Sequence, residues 1–300
     1  MLVNGQWSAD WHPLQATDDK GGFVRQLSSF RHWITPDGAP GPSGAGGFKA
    51  EADRYHLYVA LICPWASRTL IARRLKGLDK IISVSVVEPE LTAQGWRFGE
   101  KPGDAVNGAI HLHELYTKAD RRYSGRATVP VLWDKARRTI VNNESADILR
   151  MFNSAFQTLV PSSLDLYPED LRAAIDALNT QLYGRLNNGV YRAGFAVTQQ
   201  AHDEAVADVF GMLDDLEGRL SSGPYLFGAR LTEADIRLFV TLVRFDVAYY
   251  GLFQCDRRRL ADYPKLSAYL AHMLDVPGVR ETVSIDHIKR GYESVRLPRR

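Results

Sequence analysis

The run Leu57-Tyr58-Val59-Ala60-Leu61-Ile62-Cys63-Pro64-Trp65-Ala66 decides how the chain is read. Tyr55 to Leu61 has the apolar, β-prone content of a strand, and Pro64 to Lys76 reads as a helix whose first position is proline, where the missing N–H costs nothing. Cys63 therefore lies at or beside a helix N-terminus. There, free N–H groups and the positive end of the helix dipole favour an anion, which lowers a thiol pKa and raises the thiolate fraction near neutral pH. Arg68, about one turn further on, adds to that effect. The plain alternative is a small buried cysteine; the order strand, Cys-Pro, helix favours the nucleophile.

Ala66 stands where a Cys-x-x-Cys pair would carry its second thiol, so chemistry at Cys63 is that of a single thiol: a mixed disulfide with a small thiol, resolved by a second small thiol. The chain has only two cysteines, Cys63 and Cys255. They are too few and too far apart in sequence for a disulfide framework or a thiolate metal site, which points to a reducing, cytoplasmic setting. Cys255 is taken as structural.

Outward from Cys63, Ile81 to Val87 is a second, β-branched strand, and strand, helix, strand implies a parallel pair with a crossover. Glu88 to Arg126 is a Gly-rich, charged insertion with one helical piece around His111 to Lys118. Val129 to Asp134 and Thr139 to Val141 read as a hairpin, followed by a helix from Glu144 to Phe152. This order is that of a thioredoxin-like domain. Beyond about Pro161 the helical period takes over, in Pro168 to Asn187, Thr198 to Ser221, Thr232 to Tyr250 and Tyr263 to Met273. The expected fold class is thus α/β plus all-α. The expected division is an aromatic N-terminal arm over 1–47 (Trp7, Trp11, Phe23, Phe30, Trp33), a thioredoxin-like domain over 48–160 and a helical domain over 161–300, with a ligand site expected in the cleft between the last two.

With 300 residues and 45% hydrophobic content, the chain builds real cores, which excludes a disordered or fibrous protein. A net charge of +2, from 37 Lys and Arg against 35 Asp and Glu, gives no field for nucleic acid or an anionic membrane. No long apolar window and no signal-peptide layout is present. The partners expected are small molecules and a second copy of the chain, as a homodimer. His111 and His113, without further ligands in view, read as a solvated helix face and not as a metal pair; the Arg257 to Arg259 run reads as solvated charge.

Arg126-Ala127-Thr128-Val129-Pro130-Val131-Leu132 supplies a second half to the cysteine site. A cis bond before Pro130 turns the Val129 backbone outward, where its N–H and C=O can pair with an extended peptide; a trans proline at a strand start is the alternative. At Asn143-Glu144-Ser145 a helix opens, where Ser145 and nearby N–H groups suit a carboxylate and Glu144 an ammonium. A ligand with a peptide edge, a carboxylate and an α-amino group has the form of glutathione.

Together these features resemble the glutathione S-transferases, over nearly the whole chain. The helical half carries Leu231-Thr232-Glu233-Ala234-Asp235-Ile236, whose Thr-x-x-Asp is the capping box typical of that fold. Cys-Pro-Trp-Ala narrows the resemblance to the cysteine-type enzymes. The aromatic arm, Gly95-Trp96-Arg97-Phe98 in the insertion, and Thr128 to Asp134 followed by Asn142-Asn143-Glu144-Ser145 narrow it to the xi class, the glutathionyl-hydroquinone reductases.

By that resemblance, Trp96 stacks on or bonds glutathione, Arg126, Thr128 and Val129 hold its backbone, and Glu144 and Ser145 take its γ-glutamyl end. Tyr191, Tyr249 and Tyr292 match the family's catalytic tyrosines, Tyr249 being preferred to its neighbour Tyr250. The implied reaction removes glutathione from glutathionyl-hydroquinones through Cys63, with glutathione as co-substrate and no metal. The rivals are an omega-like thioltransferase or dehydroascorbate reductase using the same cysteine, and a non-catalytic binding module of the same fold.

Overall fold

The computed structural model describes residues 1–8, 16–44, 46–100, 103–295 and 297–298. The chain forms two compact units: Met1–His12, Ser28–Leu164 and Glu281–Ser294 make the first, and Pro13–Leu27, Asp165–Arg280 and Val295–Arg300 the second.

The N-terminal segment contributes three pairs of two-residue strands. β1 (Leu2–Val3) runs antiparallel to β2 (Gln6–Trp7), β3 (Ala16–Thr17) antiparallel to β4 (Phe23–Val24), and β5 (Ile34–Thr35) parallel to β6 (Phe48–Lys49). Its apolar residues do anchor it, since Leu2, Phe23 and Ile34 are buried. It is shared, however: β3 and β4 belong to the second unit and the other pairs to the first. Trp11, expected among the anchoring aromatics, lies outside the described residues.

The first unit is built on a mixed four-stranded sheet in the order β10-β9-β7-β8. β7 (Tyr55–Val59) is buried along its whole length and pairs in parallel with β8 (Ile82–Val86), from Tyr55 opposite Ile82 to Val59 opposite Val86. The crossover between them is α1 (Pro64–Leu75), as the strand, helix, strand order requires. α2 (His113–Ala119) stands in the insertion, ahead of the hairpin β9 (Val131–Asp134) and β10 (Thr139–Asn142) and of α3 (Ser145–Ser154), which packs on α1. One polar side chain interrupts the apolar β7. The His56 ring contacts the hydroxyls of Ser83 (2.6 Å) and Ser85 (3.0 Å) across the parallel pair, and burial holds the imidazole down at about 4.

The second unit is helical: α4 (Arg172–Gln181), α5 (Gly189–Gly194), α6 (Gln199–Arg219), α7 (Glu233–Arg244), the short α8 (Tyr250–Leu252) and α9 (Pro264–Asp275). The helical period predicts unbroken helices here, but π-helical turns occupy Leu182–Asn187 and Phe245–Tyr249. The Thr232/Asp235 capping box forms as the sequence implies. Asp235 also accepts from Leu226 N (2.8 Å) and Tyr269 Oη (3.2 Å), yet burial still raises its carboxyl to about 6.

The last helix, α10 (Ile285–Glu293), belongs to the first unit, although the sequence places it with the helical half. The reason is Gly291. A Cβ at that position would lie 2.5 Å from Ile62 Cδ1 and 2.8 Å from Pro89 O, so only glycine lets the helix backbone come this close.

Candidate active site

Cys63 is the N-cap of α1 (φ −78°, ψ 118°), with Pro64 at the first helical position and no acidic residue in the first turn. Its own C=O receives the Ser67 N–H at 3.0 Å and the Ser67 hydroxyl at 3.1 Å, which fixes the helix start under the thiol. Cys63 is half-buried. The helix dipole and the lack of an opposing carboxylate in that turn both favour the thiolate. Arg68 is almost fully buried, with its guanidinium 4.4 Å from the Trp65 ring. Ala66 is buried at the position of a resolving thiol, and Cys255 is buried in the second unit, where its N–H donates to Tyr249 O at 3.1 Å.

The Val129–Pro130 bond is cis. The Cys63 thiol donates to the Val129 C=O at 3.6 Å, so two stretches 66 residues apart in sequence meet at the sulfur. Among the described residues the Val129 N–H has no partner. The preceding backbone is held by tyrosines of the insertion. Tyr116 Oη donates to Thr128 O (2.7 Å) and accepts from Thr128 N (3.1 Å), and Tyr123 Oη donates to Arg126 O (3.0 Å). One hydroxyl therefore holds both the N–H and the C=O of Thr128, directly before Val129.

At the start of α3, Glu144 is the N-cap. One carboxylate oxygen accepts from Ala146 N (3.1 Å) and the other from Ser28 Oγ (3.0 Å), while the Glu144 N–H donates to Asn142 Oδ1 (2.6 Å). Next to it the Ser145 hydroxyl is buried without a hydrogen-bond partner among the described residues, a costly arrangement at the positive end of a helix unless a ligand group completes it. Trp96 is half-buried in the insertion, its C=O bound by Leu112 N at 2.9 Å.

The three tyrosines divide between the units. Tyr292 is buried on α10, next to the Gly291 that packs on Ile62, the residue preceding Cys63. Tyr191, half-buried on α5, meets Tyr249 edge-on (centroids 6.0 Å, 63° between planes) and lies under the Arg25 guanidinium at 4.7 Å. Arg25 is oriented by Nε donation to Asn188 Oδ1 at 2.8 Å. Tyr250 instead lies under Arg259 at 4.1 Å, which separates it from Tyr249, the fully buried partner of Tyr191.

One further expectation changes and one holds. His113 stacks between Trp7 (4.6 Å) and His111 (5.4 Å), so the histidines form part of a packed aromatic column and not a solvated face. The Arg257–Arg259 run is exposed, as expected of solvated charge, with its guanidinium groups lying over Phe210, Tyr263 and Tyr250. The sequence reading missed Tyr116, Tyr123, Arg25 and Ser28, whose partners lie between 3 and 163 residues away.

Two family models match the chain. The glutathione S-transferase N-terminal domain matches residues 62–155 and the C-terminal domain residues 199–272. Glutathionyl-hydroquinone reductase YqjG of Escherichia coli K12 is 53% identical over 296 residues, covering 97% of this chain and 90% of the relative. Its glutathione-bound structure superposes with a TM-score of 0.89 at 51% identity, over 98% of this chain and 90% of that one. Glutathionyl-hydroquinone reductase PcpF of Sphingobium chlorophenolicum is 45% identical over 97% of this chain and 90% of its own length. The crystal structure of the glutathione-S-transferase Xi from Phanerochaete chrysosporium matches with a TM-score of 0.87 at 48% identity, over 93% and 92% of the two chains.

Proposed function

The chain belongs to the glutathione S-transferase family, within its xi class, and from that premise we propose that it reduces glutathionyl-hydroquinones to hydroquinones at Cys63. The observation that carries the reading is the Cys63 thiol at the start of α1, 3.6 Å from the Val129 carbonyl of a cis-proline edge. A thiolate in that position can attack a sulfur whose peptide is held along Val129.

In the first half-reaction the Cys63 thiolate attacks the sulfur of the substrate's aryl thioether. The sulfur–carbon bond breaks, a sulfur–sulfur bond forms, and the ring carbon takes a proton from Tyr191 as general acid. The two sulfurs are oxidised and the ring carbon is reduced. In the second half-reaction a further glutathione thiolate attacks the Cys63–glutathione disulfide, releasing oxidised glutathione and the Cys63 thiolate. Tyr249 and Tyr292 donate hydrogen bonds that favour the anion. Trp96, Arg126, Thr128 and Val129 hold the glutathione backbone, and Glu144 and Ser145 its γ-glutamyl end. The Ser145 hydroxyl, buried without a protein partner, supports that last role.

The same reading makes the protein a cytoplasmic homodimer that uses glutathione and no metal. No helix among the described residues is long and apolar enough to cross a membrane. Sedimentation that returned only monomer would remove the dimer, and activity lost to chelators would bring in a metal.

Intact-mass analysis after incubation with a glutathionyl-hydroquinone tests the mechanism. The wild type is expected to gain one glutathione and Cys63→Ala none, with turnover lost in the variant. Undiminished turnover by Cys63→Ala would sink the mechanism, and activity on dehydroascorbate alone would favour the thioltransferase reading.

A further inference from the structure

The Tyr116 hydroxyl makes every bond open to it. It donates to Thr128 O at 2.7 Å and accepts from Thr128 N at 3.1 Å and from Asn143 Nδ2 at 3.1 Å. The Thr128 hydroxyl lies a further contact away at 3.3 Å, and since a phenol has one proton and two lone pairs, the three shorter bonds use its full capacity. The side chain is fully buried, and Phe30 meets its ring edge-on at 5.8 Å. Asn143 passes the link on: its Oδ1 accepts from Phe30 N (3.0 Å), and it directly precedes Glu144, the cap of α3.

One oxygen atom thus ties together the residue before Val129 and the residue before the α3 cap. These are the two surfaces assigned above to the peptide edge and the γ-glutamyl end of the same small ligand. Neither is fixed to the other by a sheet ladder at this point, because Thr128 and Val129 precede β9 and Asn143 follows β10. Tyr116 itself comes from the insertion, which has no strand in the four-stranded sheet.

We propose that Tyr116 is the positioning residue of the glutathione site, setting the separation between the Val129 edge and the start of α3 through its saturated hydroxyl. The inference rests on reading this unit as a glutathione site. Tyr116 touches no reacting atom, so its removal is read in glutathione affinity and not in the chemistry of Cys63.

The test compares Cys63→Ala, which cannot form the mixed disulfide, with Cys63→Ala/Tyr116→Phe, titrating each with glutathione by calorimetry. Loss of the hydroxyl is expected to weaken binding about tenfold. In the Cys63-containing pair, the KM for glutathione is expected to rise with kcat at saturating glutathione held within about twofold. Alkylation of Cys63 by iodoacetamide should proceed at an unchanged rate. Equal affinity in the two titrations would overturn the proposal, as would a parallel collapse of affinity, kcat and melting temperature, which marks general loosening. Where Tyr116→Phe does not fold, Asn143→Ala, which removes one of the three bonds, takes its place and must weaken glutathione binding in the same direction; unchanged affinity there overturns the proposal. Absence of any binding by Cys63→Ala itself removes the functional reading, whereas equal binding by both proteins removes only the role of Tyr116.

Discussion

Ser145 and Glu144 stand side by side at one helix start and divide its work. Glu144 spends both carboxylate oxygens on protein donors, Ala146 N and Ser28 Oγ, whereas the buried Ser145 hydroxyl has no protein partner to lose. Ser145→Ala is therefore expected to leave stability within about 0.5 kcal/mol while raising the KM for glutathione several-fold. Urea unfolding and steady-state kinetics on the same preparation check both halves. A stability loss without a KM change would mean that the hydroxyl serves the fold. The residue types at Cys63, Val129, Glu144 and Ser145 were legible in the sequence because each sits in a local pattern: Cys-Pro before a helix, X-Pro before a strand, a cap before an apolar run. Tyr116 and Arg25 were not, because their hydrogen-bond partners Thr128 and Asn188 lie 12 and 163 residues away and no local spacing announces them.

Among elements, the sheet strands and most helices followed from apolar periodicity, with ends displaced by a few residues. The π turns did not, since one inserted residue in a long amphipathic stretch leaves the average period almost unchanged. In the structure they flank the two tyrosines: Leu182–Asn187 precedes α5, which carries Tyr191, and Phe245–Tyr249 ends on Tyr249. The first turn is anchored by Asn187, whose Nδ2 donates to Arg237 O and to Thr241 Oγ1, both at 2.8 Å, on buried faces of α7. Asn187→Leu leaves these acceptors without that donor and is expected to cost about 1–3 kcal/mol. A lowered denaturant midpoint with an unchanged slope is the outcome that fits. An unaltered midpoint would show that the π turn holds without the amide.

Over the whole molecule, two of the buried ionisable groups respond to acid in opposite senses. His56 has a folded value of about 4 against an ordinary 6.5, set by burial with a smaller push from Lys135 and Arg73 and opposed by Asp104. The native state then binds fewer protons than the unfolded chain, so this group's stabilisation is present above pH 6.5 and lost as the pH falls towards 4, by about 3 kcal/mol. Asp235 has a folded value of about 6 against 3.8, so its contribution is greatest below pH 3.8 and is lost as the pH rises through 6. His56 lies in the sheet unit and Asp235 in the helical one. Hydrogen exchange between pH 6.5 and 4 is therefore expected to show β7 and β8 losing protection before α7, and His56→Gln should flatten that response. Equal loss in both units, or no change in the variant, would contradict the assignment. A third feature of the fold concerns the order in which the chain is made. Ile62, next to the proposed nucleophile, packs against Gly291, so this side of the cysteine's surroundings is completed only once α10, far downstream in the chain, has been made. A nascent chain halted before residue 281 would hold Cys63, the cis-proline edge and the start of α3, and still lack the helix that packs on Ile62.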